Sequence, residues 1–148
     1  MIVVGVDHSE SAKAALRFAF EEAQLRQAPL RAVHAWQFGY IGAPGIESSI
    51  PVLGAEPSEH HAAADAALDA TVRETIPDPG DVKIERRVVE GAAAAVLVEE
   101  SREADLLVVG SRGHGGFAQL LLGSVSHQCA HHAECPVVIV RRRSGRTS

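Results

Sequence analysis

Two runs of the chain need cover on both faces. Residues 2–6 read IVVGV and residues 106–109 read LLVV, with no polar residue at alternate positions. A strand with one wet face alternates apolar and polar residues. An uninterrupted, β-branched run suits the interior of a parallel sheet. Parallel neighbours are joined by crossovers rather than hairpins, so the segments between the runs must supply helices for both faces.

The remaining segments meet that requirement. After Ile2–Val6, Ser9 is placed to cap a helix, and Ala12, Ala15, Leu16, Ala19 and Ala23 follow a helical period up to Pro29. Leu30 to Trp36 reads as a second strand. A helix is expected from Ser58, its cap, to Ile76, where Pro77-Asp78-Pro79-Gly80 stops it. Val82 to Val89 is a third strand, polar enough to belong near a sheet edge. Gly91 breaks it, and a third helix is expected over Ala92–Arg102. A fourth strand (Asp105–Val109), a fourth helix (Ser124–His132) and a last strand (Val137–Val140) complete the chain. The alternation predicts an α/β fold, an open five-stranded parallel sheet with helices on both faces and right-handed crossovers. Residues 1–148 read as one domain, with 143–148 as a flexible tail. The stretch from Gln37 to Pro57 carries Gly39, Gly42, Pro44, Gly45, Pro51 and Gly54. It is long for a connection, and such loops are lids, binding loops or disordered segments.

Charge and cysteine usage narrow the function classes. The net charge is −5, and setting aside the four arginines of residues 141–148 leaves about −9 on the rest. An acidic body lacks the basic stripe of a nucleic-acid surface. No apolar run approaches the ~20 residues of a membrane span, and the MIVVGVD start lacks a basic leader, so a cytoplasmic protein is expected. Cys129 and Cys135 form no C-x-x-C pair, which excludes zinc-ribbon and thioredoxin readings on spacing.

The chemistry concentrates at residues 108–125, VVGSRGHGGFAQLLLGSV. An apolar strand feeds Gly110-Ser111-Arg112-Gly113, and Gly123-Ser124 then opens a helix. Glycines let backbone amides approach an anion without a Cβ in the way. A helix start adds unpaired N–H donors and the positive end of the dipole, and Ser124 adds a hydroxyl. In open parallel sheets ligands bind beyond the carboxyl ends of the strands. Asp7 stands at such an end. It would accept hydrogen bonds from a base or sugar, help hold a metal, or cap the first helix. Gly5 either admits a ligand or packs against a helix. The P-loop lysine is missing: the only lysines are Lys13 and Lys83, and Arg112 is the sole cation between Gly110 and Val125. Such a site suits nucleotide retention better than rapid phosphoryl transfer.

Gly110, Gly113, nine further residues and Gly123-Ser124 match the G-x2-G-x9-G-[S/T] pattern of the ATP-binding branch of the universal stress protein family. The chain resembles that family nearly throughout, in VVGVDHS, RAVHAW, EADLLVVGSRG, LLLGSVS and CPVVIVR. His8 departs from the glycine often found between the Asp and the Ser. The resemblance implies a five-stranded, Rossmann-like α/β fold related to the adenine-nucleotide alpha-hydrolases. It implies a homodimer paired through Val137–Val140. It also implies a role in stress adaptation, with a regulatory protein partner and ATP, AMP, ADP or a cyclic nucleotide as ligand. On matching positions, Asp7 and the backbone at Ala35 would face adenine. Val109 and Gly110 would lie near the ribose and phosphates, and Gly113, Gly123, Ser124, Val125 and Ser126 would hold the phosphates. Gly5, Val6, Ser9 and Arg112 complete the expected binding set. A triphosphate held by so few cations calls for Mg²⁺.

Other readings compete. A slow ATPase or autophosphorylating protein would use Ser124 or Ser126. An interaction module would dock a partner on Gln37–Pro57 and keep the nucleotide as structure. His127 and His131 share a helix face, but the ligand set falls short of the four that zinc needs. Gly110-Ser111-Arg112-Gly113 is one residue short of a nucleophile elbow. Trp36 is expected to pack at the loop base, with stacking on a base as the alternative.

Overall fold

The computed structural model of the chain describes residues 1–37, 57–111 and 122–142. Among these, five parallel strands alternate with four helices. The strands are β1 (Ile2–Gly5), β2 (Leu30–Trp36), β3 (Ile84–Glu90), β4 (Leu106–Gly110) and β5 (Val137–Val140). The helices are α1 (Glu10–Arg26), α2 (Pro57–Thr75), α3 (Ala93–Ser101) and α4 (Ser124–His132). The strand order is β3-β2-β1-β4-β5. Ile2 stands opposite Leu30 on one side and Leu106 on the other, so the two most apolar runs are neighbours. The polar β3 lies at an edge, as its composition requires.

The two-residue period of the strands sorts the core into two layers. Ile2, Val4 and Val6 of the first run, with Leu106 and Val108, pack against Ala15, Leu16 and Ala19 of α1 and Leu68 and Val72 of α2. Val3, Leu107 and Val109 point the other way, onto Val96 and Leu97 of α3 and Cys129 of α4. The chain steps outward from β1 to β3, then returns past β1 to β4. With one handedness of crossover, that reversal moves the later helices to the opposite face.

Helix α1 begins where Ser9 accepts the Ala12 amide at 3.1 Å and ends at Gln27, which is left-handed at φ 52°. The second helix starts one residue earlier than expected, at Pro57, so Ser58 lies inside it rather than capping it. Proline suits a first helical position because its missing N–H has no partner there anyway. Strand β3 starts at Ile84 rather than Val82. The Val82 amide is taken by the Pro79 carbonyl at 3.1 Å and is lost to the ladder. β1 ends at Gly5, β4 runs from Leu106 to Gly110, and α3 spans Ala93–Ser101; these are shifts of a residue or so in the bonded ends. The expectation for Gln37–Pro57 falls almost wholly outside the described residues, and that for the 143–148 tail wholly outside them.

One polar group in β2 has no counterpart in the sequence reading. Arg31 is buried on the α3 side, bonding Glu100 at 2.8 Å, Glu85 at 3.0 Å and Glu103 at 3.3 Å. Glu100 is buried too, and also holds Arg87 at 3.2 Å. Burial alone would lower the pKa of the Arg31 guanidinium. The hydrogen bonds from Glu85, Glu100 and Glu103 more than offset that and raise it.

Candidate functional site

Because β1 lies between β2 and β4, the chain leaves β1 and β4 toward opposite sides. The crevice this opens at their carboxyl ends is where such sheets bind ligands. Val6-Asp7 and Ser9 follow β1 there, Gly110-Ser111 closes β4, and Gly123 starts α4.

The first turn settles one alternative for Asp7. The helix cap is Ser9, not Asp7. Asp7 instead braces the cap, its Oδ1 accepting the Ser9 amide at 3.0 Å and the Ser9 hydroxyl at 2.5 Å. Among the described residues no group bonds Oδ2, and the side chain is half-buried. A carboxylate held by one oxygen and open at the other is set to accept a hydrogen bond. His8, between them, is left-handed at φ 68°.

The glycine motif closes on itself. The Gly123 amide donates to the Ser111 carbonyl at 2.6 Å, so the two ends of the motif, at 111 and 123, meet. The Ser111 amide reaches the end of β5, at Val140, over 2.9 Å. Ser126 is buried, and its hydroxyl donates to the carbonyls of Gly123 at 3.0 Å and Ser111 at 3.3 Å. The structure therefore brings Ser126 to the motif but turns its hydroxyl onto the Ser111 and Gly123 carbonyls.

Helix α4 starts without a side-chain cap. Its first internal bond runs from the His127 amide to the Gly123 carbonyl at 3.0 Å, so the Ser124, Val125 and Ser126 amides precede it. Ser124 is exposed beside them. Ala92 opens α3 equally uncapped. A missing cap is thus not by itself a site; α4 differs in starting at the β1–β4 reversal.

The glycines divide by role. A Cβ on Gly5 would fall 2.7 Å from a Leu97 methyl, so its missing side chain admits α3. A Cβ on Gly110 would meet the Ser11 backbone at 2.9 Å, so this glycine admits α1. Ala35, Val109 and Val125 belong to one apolar cluster on the α3–α4 face, Val109 buried within it and the other two partly exposed. Arg112 and Gly113 lie outside the described residues. Ser11 went unnoticed in the sequence, and Ser111 was named only within the glycine run; the close contact at Gly110 and the shared carbonyl give them their places.

The other candidates are also placed. The His127 and His131 rings are 4.6 Å apart on the exposed face of α4. Among the described residues no group of three or more His, Cys, Asp or Glu could hold a metal ion. Cys129 is buried and Cys135 partly so, both as thiols. Trp36 meets His61 of α2 edge-on at 6.3 Å. No helix among the described residues is long and apolar enough to cross a membrane. A surface cavity lined by Gln24, Gln27, Asp81 and Lys83 lies by the other ends of β2 and β3, away from the crevice.

Comparison with known proteins adds three kinds of likeness. The profile of the universal stress protein family matches residues 1–141. A universal stress protein of Mycolicibacterium smegmatis is 37% identical over 143 residues, covering 96% of this chain and 46% of that protein. One from Mycobacterium tuberculosis is 39% identical over 142 residues, covering 95% and 45%. The chain therefore spans about half the length of the curated relatives it matches. Among solved structures, UspA of Lactobacillus plantarum superposes with a TM-score of 0.75 at 25% identity, covering 95% and 96% of the two chains. A universal stress protein in complex with cAMP gives 0.67 at 32%, covering 95% and 94%. The one from Archaeoglobus fulgidus in complex with dAMP gives 0.63 at 26%, covering 93% and 94%.

Proposed function

Because the chain belongs to the universal stress protein family, we propose that it retains an adenine nucleotide, ATP foremost, at the β1–β4 crevice as part of a regulatory rather than a metabolic role. The observation that carries this reading is the uncapped start of α4 after β4, the strand paired with the one whose end carries Asp7. The Ser124–Ser126 amides fit a phosphate, offering dipoles where a cationic clamp is missing. Asp7 Oδ2 fits a base or ribose donor, and the partly exposed Ala35 and Val125 offer apolar surface to the nucleoside. The cAMP and dAMP bound by two structural relatives support the adenine class. The amides and the Ser124 hydroxyl would face the phosphates. Mg²⁺ bound with a triphosphate would supply positive charge that the described site residues do not.

Homodimerisation through β5 belongs to the same reading. β5 pairs with β4 on one side only, and each of Val137, Val138, Ile139 and Val140 stays partly exposed. An apolar edge strand is a template for a second copy.

Calorimetric titration of the purified protein with ATP, AMP and cAMP tests the reading. Binding that is lost in Asp7→Ala supports it. No heat and no thermal shift with any of the three at millimolar ligand would overturn it. Steady release of phosphate from ATP would replace retention with hydrolysis.

A further inference from the structure

His8 occupies a backbone conformation that a non-glycine residue rarely adopts, at φ 68°. Its ring lies 4.7 Å from that of His34, tilted 43°. Its Nδ1 is 2.9 Å from the Thr71 hydroxyl of α2. His34 is itself anchored: its Nδ1 is 2.7 Å from the Val6 carbonyl, which can only accept, so that nitrogen carries the proton. Residues 6–9 are thus fastened to β2 and α2 through two imidazoles, on the face of the sheet opposite Ala35 and Val109.

We propose that His8 is a positioning residue that presets Asp7 for the nucleotide, and that its ring pair with His34 makes nucleotide affinity fall as the pH drops. This rests on the nucleotide reading above. The bond from Asp7 Oδ1 to the Ser9 amide spans His8, so the carboxylate's orientation depends on the left-handed turn. Such a turn persists only where its surroundings hold it. Imidazole changes charge near neutrality, and two rings in contact take up protons in separate steps because the second must join a cation. Charged and titratable groups stand on the elements packed against the pair: Asp7 and Glu10 on the turn and first helical position, Lys13 on α1, which bonds Glu10 and Glu74 at 3.4 Å each, and His60 and His61 on α2. On α2 stand Glu74 and Asp69, the latter held by Arg73 and by Arg86 of β3. Across β3, His34 faces the apolar Val88. A second proton parts the rings. His34 is fixed in the sheet, so His8 moves, the turn relaxes, and Asp7 loses its aim.

The test is ATP affinity at about pH 8 and about pH 5.5, with helix content checked at both. Wild type is compared with His8→Asn, which tolerates positive φ and does not titrate, and with His34→Phe, which keeps a ring without charge. The phosphate titration of ATP is common to all three and cancels. Wild-type affinity is expected to fall about fivefold or more across this range, against less than about twofold in either variant. A variant that keeps the wild-type fall overturns the proposal. ATP binding with a flat ratio in wild type overturns this proposal alone, whereas no ATP binding at either pH overturns the nucleotide reading beneath it.

Discussion

Gly110 at the end of β4 sits against Ser11 in the first turn of α1, so closely that a Cβ would meet the Ser11 carbonyl carbon and oxygen at 2.9 Å and its hydroxyl closer still. Two elements that both border the crevice are joined there backbone to backbone. Gly110→Ala must push α1 away from β4, and overpacking of this kind costs about 1–3 kcal/mol. Chemical denaturation should show that loss, with ATP affinity falling alongside. An unchanged midpoint would mean the contact yields freely.

Gly123 caps α4 at φ −69° and ψ 164°, angles open to any residue. Gly123→Asp would supply the missing side-chain cap, gaining a few tenths of a kcal/mol in the ligand-free protein, since glycine is already a tolerable cap. Its carboxylate would occupy the amides a phosphate needs, and ATP affinity should drop about tenfold or more. Stability and binding then move in opposite directions, which melting curves with and without ATP would register.

Removing one partner of the Arg31–Glu100 pair leaves a charge in a buried place. Glu100→Ala should cost about 3–5 kcal/mol by urea titration. Replacing exposed Glu103, which touches the same guanidinium at 3.3 Å, should cost less than about 1 kcal/mol. Equal losses would show that the burial of Glu100 has no energetic weight.

Burial pushes the Cys129 thiol up to about 11, and burial also raises Cys135, partly offset by a hydrogen bond from the Leu107 backbone. Thiolate is the reacting form, so at pH about 8 Cys135 should react with a thiol reagent first and Cys129 only after unfolding. The sign for stability follows. A folded pKa above the unfolded value keeps its full contribution below about pH 9 and loses it as the pH rises toward about 11. Peptide mapping of the modified protein identifies the order; early labelling of Cys129 would contradict its burial.

If β5 pairs with a second copy, Ile139→Lys should yield monomers in light scattering, because a charged edge residue blocks strand addition. The crevice lies at the strand ends rather than along this edge, so ATP affinity in the monomer should change by less than about threefold. A wild-type protein that is already monomeric would remove the dimer from the reading.

Much of this molecule could be read residue by residue. The unbroken runs of β1 and β4 demanded two covered faces, and the alanines of α1 gave its buried stripe. Ser9 announced a helix start, and the spacing from Gly110 to Gly123-Ser124 marked the motif. These are local signals: hydrophobic burial acts at fixed periods along a strand or helix, and glycine and capping residues act on their own backbone. The order of the strands is not local, since nothing in a parallel strand's own period names its neighbour. Only the tertiary structure put β1 beside β4, gave Gly110 the task of admitting Ser11, and turned the Ser126 hydroxyl inward. It alone made Arg31, a lone cation in an apolar strand, the meeting point of three glutamates from distant segments. It also brought His8 against His34, because which side chains meet across a sheet depends on register and packing, and neither is written in any single stretch of chain.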